Sequence, residues 1–218
     1  VKYAKDETLP IAKINKGVAT INVKIPGYKP DMKLEFYVGG FVPLGSTQQM
    51  AKTYPFAANG TLTAEIPLWL TREVTVGVEG LAYTNIIIGP GQETSILMKV
   101  CDDHRPYLAF KGFFAKTNMD LVNAHDTHKS FTDDDETYLK VKECKTPDER
   151  LQCLTNIFNQ RTAAIKKTNY ATAAKDLLCM TTEENYFRWT HLFASTFCQY
   201  QVGADGKVYR TYENYEEN

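Results

Sequence analysis

The stretch IIIGPGQETSILMKV, Ile86 to Val100, decides how the first half of the chain is read. Its glycines would matter for catalysis if they cradled a phosphate. A P-loop needs Lys and then Ser or Thr after its last glycine, and a dinucleotide loop needs G-x-G-x-x-G opening a helix. Here Gly91 is followed by Gln92-Glu93-Thr94-Ser95 and then by residues that alternate as a strand. Pro at the second position of a bend and Gly at the third fit a type II turn, whose third residue needs positive φ. The stretch therefore reads as two strands joined by a hairpin bend with Gly89-Pro90-Gly91 at its corner.

Working outward, the period stays at two from Lys16 to Val100. Ala19, Ile21, Val23 and Ile25 oppose Thr20, Asn22 and Lys24. Leu34, Phe36 and Val38 do the same, as do Leu62, Ala64, Ile66 and Leu68, and then Val74, Val76 and Val78. Short half-buried strands separated by turn residues predict an antiparallel β-sandwich of about seven strands. Asn59-Gly60 adds a two-residue hairpin signal, because both positions tolerate positive φ.

After Cys101 the period becomes helical. Phe110, Phe113, Phe114, Leu121 and Val122 fall on one helix face. Thr132 before three aspartates, and Thr146-Pro147-Asp148-Glu149, both open helices; the second is a full capping box with Pro in the first turn. A last helix is expected from Ala171 to about Gln201, with a break at Thr181-Thr182 left open by the spacing to Glu184, followed by a polar tail in which Asp205-Gly206 offers a turn. The expected class is α+β, with a sandwich domain over 1–101 and an all-α domain over 102–218.

Composition narrows the function. With 218 residues, 43% hydrophobic and 23% charged, the chain has the profile of a soluble globular protein. A net charge of -1 gives no electrostatic footprint for nucleic acid. No apolar run approaches the roughly 18 to 20 residues that cross a bilayer. The chain starts at Val1 without methionine, as expected of a processed or trimmed product, and a removed signal peptide would account for it. The five cysteines, Cys101, Cys144, Cys153, Cys179 and Cys198, contain no C-x-x-C pair. Cys144 and Cys153 bracket a helix start, where either a bridge or two thiols would fit.

Candidate sites are few. His125 and His128 are three apart and would share a helix face as ligands of a divalent metal, but they lack the glutamate of H-E-x-x-H. His104 reads as a domain-junction residue, and His191, among Phe187, Trp189 and Phe193, as a packing histidine. Asp133-Asp134-Asp135-Glu136 lacks the order and the glycine of a calcium loop. No nucleophile elbow is present. Tyr28, Tyr37, Tyr54, Trp69 and Tyr83 belong to the sandwich half and are candidates to stack on a glycan or peptide, although sandwiches also use aromatics in their cores. No cofactor is expected, and the chain reads as a non-enzyme.

Three segments carry a family resemblance: GVATINVKIPGYKPDM, AANGTLTAEIPL and IIIGPGQETSILMKV, followed by YLAFKGFFAKTNMDLVNA. Together they resemble the N-terminal sandwich and helical insert of TlpA/ResA-like thiol-disulfide oxidoreductases of Bacteroides-type bacteria, over about Lys16 to Val202. The family's catalytic C-x-x-C sits in a C-terminal thioredoxin fold, and no position here matches it, so no site residue carries over. The resemblance implies an envelope protein facing the periplasm, with a redox domain beyond Asn218 or a standalone relative without one. Protein clients, self-association or a glycan are the partners it leaves open.

Overall fold

Alternating burial turns the expected strands into two packed sheets. The computed structural model describes residues 6–41, 50–78, 82–100, 106–127, 134–196, 198–202 and 208–212. In chain order the first eight strands are β1 (Gly17–Lys24), β2 (Glu35–Phe41), β3 (Met50–Pro55), β4 (Thr61–Leu68), β5 (Arg72–Val78), β6 (Ala82–Ile88), β7 (Glu93–Val100) and β8 (Pro106–Gly112). One four-stranded sheet has the order β4-β1-β7-β8 and the other β3-β2-β5-β6. All pairings within them are antiparallel except β1 with β7, which run parallel from Thr20↔Glu93 to Lys24↔Leu97.

The inward residues are those the alternation picks out. Ala19, Ile21 and Val23 of β1, all four apolar residues of β4, and Val74, Val76 and Val78 of β5 are buried. They meet Phe36, Ile86, Ile96 and Phe110 in one core shared by both sheets. Each such large side chain contributes roughly 1.5–3 kcal/mol on leaving water, so the sandwich rests on this core rather than on its turns.

The bend at Gly89-Pro90-Gly91-Gln92 has the expected type II geometry: Gly91 takes φ +71°, and the Gln92 N–H donates to the Gly89 carbonyl at 3.1 Å. It is not a hairpin. β6 lies in one sheet and β7 in the other, so the turn carries the chain between layers. Ile86, Ile87 and Ile88 are all buried, a run apolar on both faces rather than an alternating one. The turn docks on β1 instead, through Gly91 N–H to Val18 O at 3.0 Å and Thr20 N–H to Gln92 O at 2.9 Å. Asn59-Gly60 behaves alike: it makes a tight turn, with Gly60 at φ +73°, but joins β3 to β4 across the two sheets.

The helix expected over the first part of 102–126 is half strand. β8 pairs with β7 from Thr94↔Gly112 to Val100↔Pro106 and completes the first sheet. Leu108 and Phe110 face the core while Tyr107 and Lys111 are exposed, a period of two that long-range pairing selects over the helical one. Positive φ at Gly112 (+87°) and Phe114 (+52°) then bends the chain into α1 (Ala115–Thr127).

The chain divides into two compact units, Val1–Asp126 with Tyr170–Ala174 in one, and Thr127–Asn169 with Lys175–Asn218 in the other. The sandwich unit therefore runs past the expected boundary at residue 101 and takes in β8 and α1. Within it, two consecutive acidic residues cap two helices. The Glu7 carboxylate accepts from Thr117 N–H at 2.8 Å, Thr117 Oγ1 at 2.7 Å and Lys116 N–H at 3.2 Å. Asp6 accepts from Thr172 N–H at 2.8 Å and Thr172 Oγ1 at 3.0 Å, at the start of α4 (Thr172–Thr196). Asp120 completes the set, accepting from Ala171 N–H at 2.6 Å and from the Lys116 ammonium at 2.7 Å.

The second unit is mostly helical. It holds α2 (Asp134–Val141), α3 (Pro147–Lys167) and most of α4. The capping box forms as expected: Glu149 N–H donates to Thr146 Oγ1, and Thr146 N–H donates to the Glu149 carboxylate, each at 3.2 Å. α4 runs unbroken through Thr181-Thr182, where the sequence left a break open. Thr182 Oγ1 donates back to Leu178 O at 2.8 Å, which lets the residue sit inside the helix. The region is not all-α, because Cys198–Val202 and Val208–Tyr212 form a two-stranded antiparallel sheet, β9 and β10, where helix and tail were expected. The expected cap Thr132 and the turn Asp205-Gly206 lie outside the described residues.

Candidate functional site

The β3-β2-β5-β6 sheet brings two of the predicted aromatics together. Register aligns Thr53, Tyr37, Gly77 and Tyr83 in one row across its four strands. Phe36 and Val38 point into the core, so Tyr37 points outward, as period two requires. Gly77 between the two tyrosines has no side chain to separate them. Their rings meet edge to face, with centroids 5.6 Å apart at 82°, a favoured geometry for aromatic pairs.

Gly39 matters for the same reason: a Cβ there would collide with the Tyr37 ring. Tyr37 thus lies flat along its own strand and is half-buried, while Tyr83 stays 52% exposed. The adjoining row is Ala51, Gly39, Thr75 and Asn85. Thr75 Oγ1 donates to Asn85 Oδ1 at 2.9 Å and so orients that amide. The result is a shallow face with an aromatic shelf and a hydroxyl and an amide beside it. Such a face can stack on the apolar face of a sugar or on a peptide side chain. Its two rows contain no cysteine, serine or histidine.

The other predicted aromatics are elsewhere. Tyr54 pairs with Phe36 across the strands and packs against the core. Its hydroxyl donates to Glu65 O at 3.2 Å, and burial, helped by the Glu65 charge, pushes its phenol up. Tyr28 packs on Phe56 at 5.5 Å. Trp69 is half-buried beneath the Lys16 ammonium, 5.6 Å from the ring centre, a cation–π contact. The binding face expected from five aromatics therefore reduces to Tyr37 and Tyr83.

The remaining candidates form no centre among the described residues. The His125 side chain, His128 and His104 lie outside them. No group of three or more His, Cys, Asp or Glu among the described residues is placed to hold a metal ion. His191 is exposed on α4 rather than packed. Cys144, Cys153 and Cys179 are free thiols, each half-buried. Burial pushes the Cys179 thiol up.

The polar side chains that bridge the longest stretches of sequence went unrecognised in the sequence. Asp6 and Glu7 carry no local signal, because their partners are more than a hundred residues away. Glycines at 39 and 77 in strands could have marked a close approach, yet only the register shows that both serve Tyr37. No helix among the described residues is long and apolar enough to cross a membrane. No family model matches the chain, and no curated protein matches it.

Proposed function

We propose that this chain is a non-catalytic accessory module of a cell-envelope thiol-disulfide oxidoreductase, located in the periplasm. It positions a redox domain or presents client proteins. The observation that carries this reading is where the ordered polar groups are used. Asp6, Glu7, Asn118 and Asp120 all fasten one backbone element to another. A catalytic centre would instead converge such groups on a reacting atom. The resemblance of the sandwich and its Gly-Pro-Gly turn to the family's N-terminal region supplies the redox context.

The test is the reading frame and the activity of its product. A frame continuing into a thioredoxin fold with C-x-x-C, whose insulin-reducing activity is absent from residues 1–218, is the expected result. A frame without C-x-x-C, or reducing activity in residues 1–218 alone, removes the reading.

A second reading rests on the Tyr37–Tyr83 pair, with Tyr83 exposed: an envelope module that binds glycan or peptide on the outer sheet face. Retention on a glycan or peptide array that is lost in Tyr83→Ala supports it, and absence of retention ends it.

A further inference from the structure

The second unit holds two cysteines as neighbours at one end of its helical core. Cys144 follows α2, its N–H donating to Val141 O at 3.1 Å and its Sγ lying 3.7 Å from Lys140 O. Its own carbonyl accepts from Arg150 Nε on α3 at 3.1 Å. Cys153 lies three residues beyond Arg150, on the same helix face, and packs against Val141, Leu154 and Ile157. Cys144 is thus tied by its backbone to Val141 at the end of α2 and to Arg150 on α3, and Cys153 packs against the cluster that contains Val141. Cys144 is only half-buried, and Cys153 lines an open groove of about 670 Å³ with Lys140, Glu149, Gln152, Asn156 and Gln160, so a small disulfide can reach the pair.

We propose that Cys144 and Cys153 are a reversible dithiol–disulfide pair, oxidised by exchange with a small-molecule or protein disulfide. The Cys144 thiolate attacks one sulfur of the incoming disulfide, forming a mixed disulfide and releasing one thiol. The Cys153 thiolate then attacks the Cys144 sulfur and releases the second thiol. Two electrons pass from the protein thiols to the reagent, whose two sulfurs leave as thiols with the two protons. Burial first, and then the charge and hydrogen bond of neighbouring Cys144, push the Cys153 thiol up. That environment suits a resolving thiol, which reacts once the partner sulfur has been brought beside it.

The bond would tie the end of α2 to the second turn of α3 across the capped helix start at Thr146. It closes a short loop, which restrains the unfolded chain more than the folded one. The bond would staple together the two helices that share the described cluster Val141, Leu154 and Ile157. This inference does not depend on the accessory role proposed above.

The test uses the full 218-residue chain in glutathione buffers of graded redox ratio, quenched by thiol alkylation. Non-reducing tryptic digestion should yield Glu143–Lys145 linked to Leu151–Arg161, at a mass 2 Da below the sum of the two peptides. The oxidised protein should melt higher by roughly 5 °C or more, and reductant should reverse both changes. Cys144→Ser should abolish the linked peptide while keeping the fold, with Cys179→Ser as a control that retains it. Glutathione adducts on both residues without a linked peptide, pairing with Cys179 at the same ratio, or free thiols throughout would each overturn the proposal.

Discussion

The side-chain amide of Asn118 pairs with the backbone of Ile87, accepting its N–H at 2.7 Å and donating to its carbonyl at 3.2 Å. β6 is the edge of its sheet, so Ile87 has no further strand to bond. One amide on α1 substitutes for that strand, and both residues are almost wholly buried. Removing it leaves a donor and an acceptor stranded. Asn118→Ala should therefore cost about 2–4 kcal/mol in urea unfolding, each unsatisfied group accounting for about 1–3. Asn118→Asp should be no better at neutral pH, since a carboxylate can accept from Ile87 but cannot donate to it. A loss under about 0.5 kcal/mol in the alanine variant would show that the pair is dispensable.

The paired caps predict an ordering. Glu7 is half-buried and all three of its donors lie on α1, whereas Asp6 is exposed and one of its donors is the neighbouring Glu7 N–H. Glu7→Ala should cost about 1–2 kcal/mol and Asp6→Ala about 0.5–1, the range for N-terminal caps and charges near a helix dipole. Equal effects, or none, in chemical denaturation would contradict the assignment.

The glycines of the opening stretch and of the strand end separate two kinds of strain. Gly91 has positive φ but open space where a Cβ would go, so Gly91→Ala should cost about 1 kcal/mol. Gly112 has positive φ and its Cβ would collide with the Glu93 carbonyl. Gly112→Ala should cost clearly more, and thermal melting of the two variants side by side measures the gap.

Alkaline pH should find Tyr54. Its folded-state phenol is raised by burial first and by Glu65 second, above the ordinary value of about 10. The folded state thus holds the proton after the unfolded state has released it, and stability falls as pH rises through that window. Wild-type protein should lose melting temperature above about pH 10, near the ordinary phenol value, and Tyr54→Phe should lose less over the same range. Identical alkaline slopes would refute the link.

On the outer sheet face, Tyr83→Ala should cost no more than about 1 kcal/mol, since the residue is exposed and loses only its edge-to-face contact with Tyr37. Any glycan or peptide retention should disappear with it. Tyr37→Ala should also lose retention but at a greater cost in stability, because its half-buried ring covers Gly39. Retention unchanged in both variants would move binding elsewhere.

Much of the sandwich was legible because burial on one face leaves a period of two in the residues themselves. Ile66 and Val76 are buried where alternation places them, and the Thr146 capping box is local enough to be read directly. What was hidden depends on partners far away in the chain. Gly89-Pro90-Gly91 specifies a type II bend, but not whether its two arms pair with each other or join different sheets. Phe110 fits a helical stripe and a strand equally well until β7 lies beside it. Tyr37 and Tyr54 look alike as strand tyrosines; alternation with Phe36 turns Tyr37 outward, but the face of Tyr54 follows only from its register with Phe36.

The parallel pairing of β1 with β7 has a consequence for synthesis. Thr20 finds its partner Glu93 only after more than seventy further residues have been made. As the chain leaves the ribosome, β1 can meet β4 but must wait for the strand on its other side. Closure of that sheet is therefore a late event with a high entropic barrier. Until then β1 carries an open edge of backbone donors and acceptors next to the apolar row Ala19, Ile21 and Val23. The interval between translating residue 24 and residue 97 is when this protein is most exposed to aggregation and to the chaperones that prevent it.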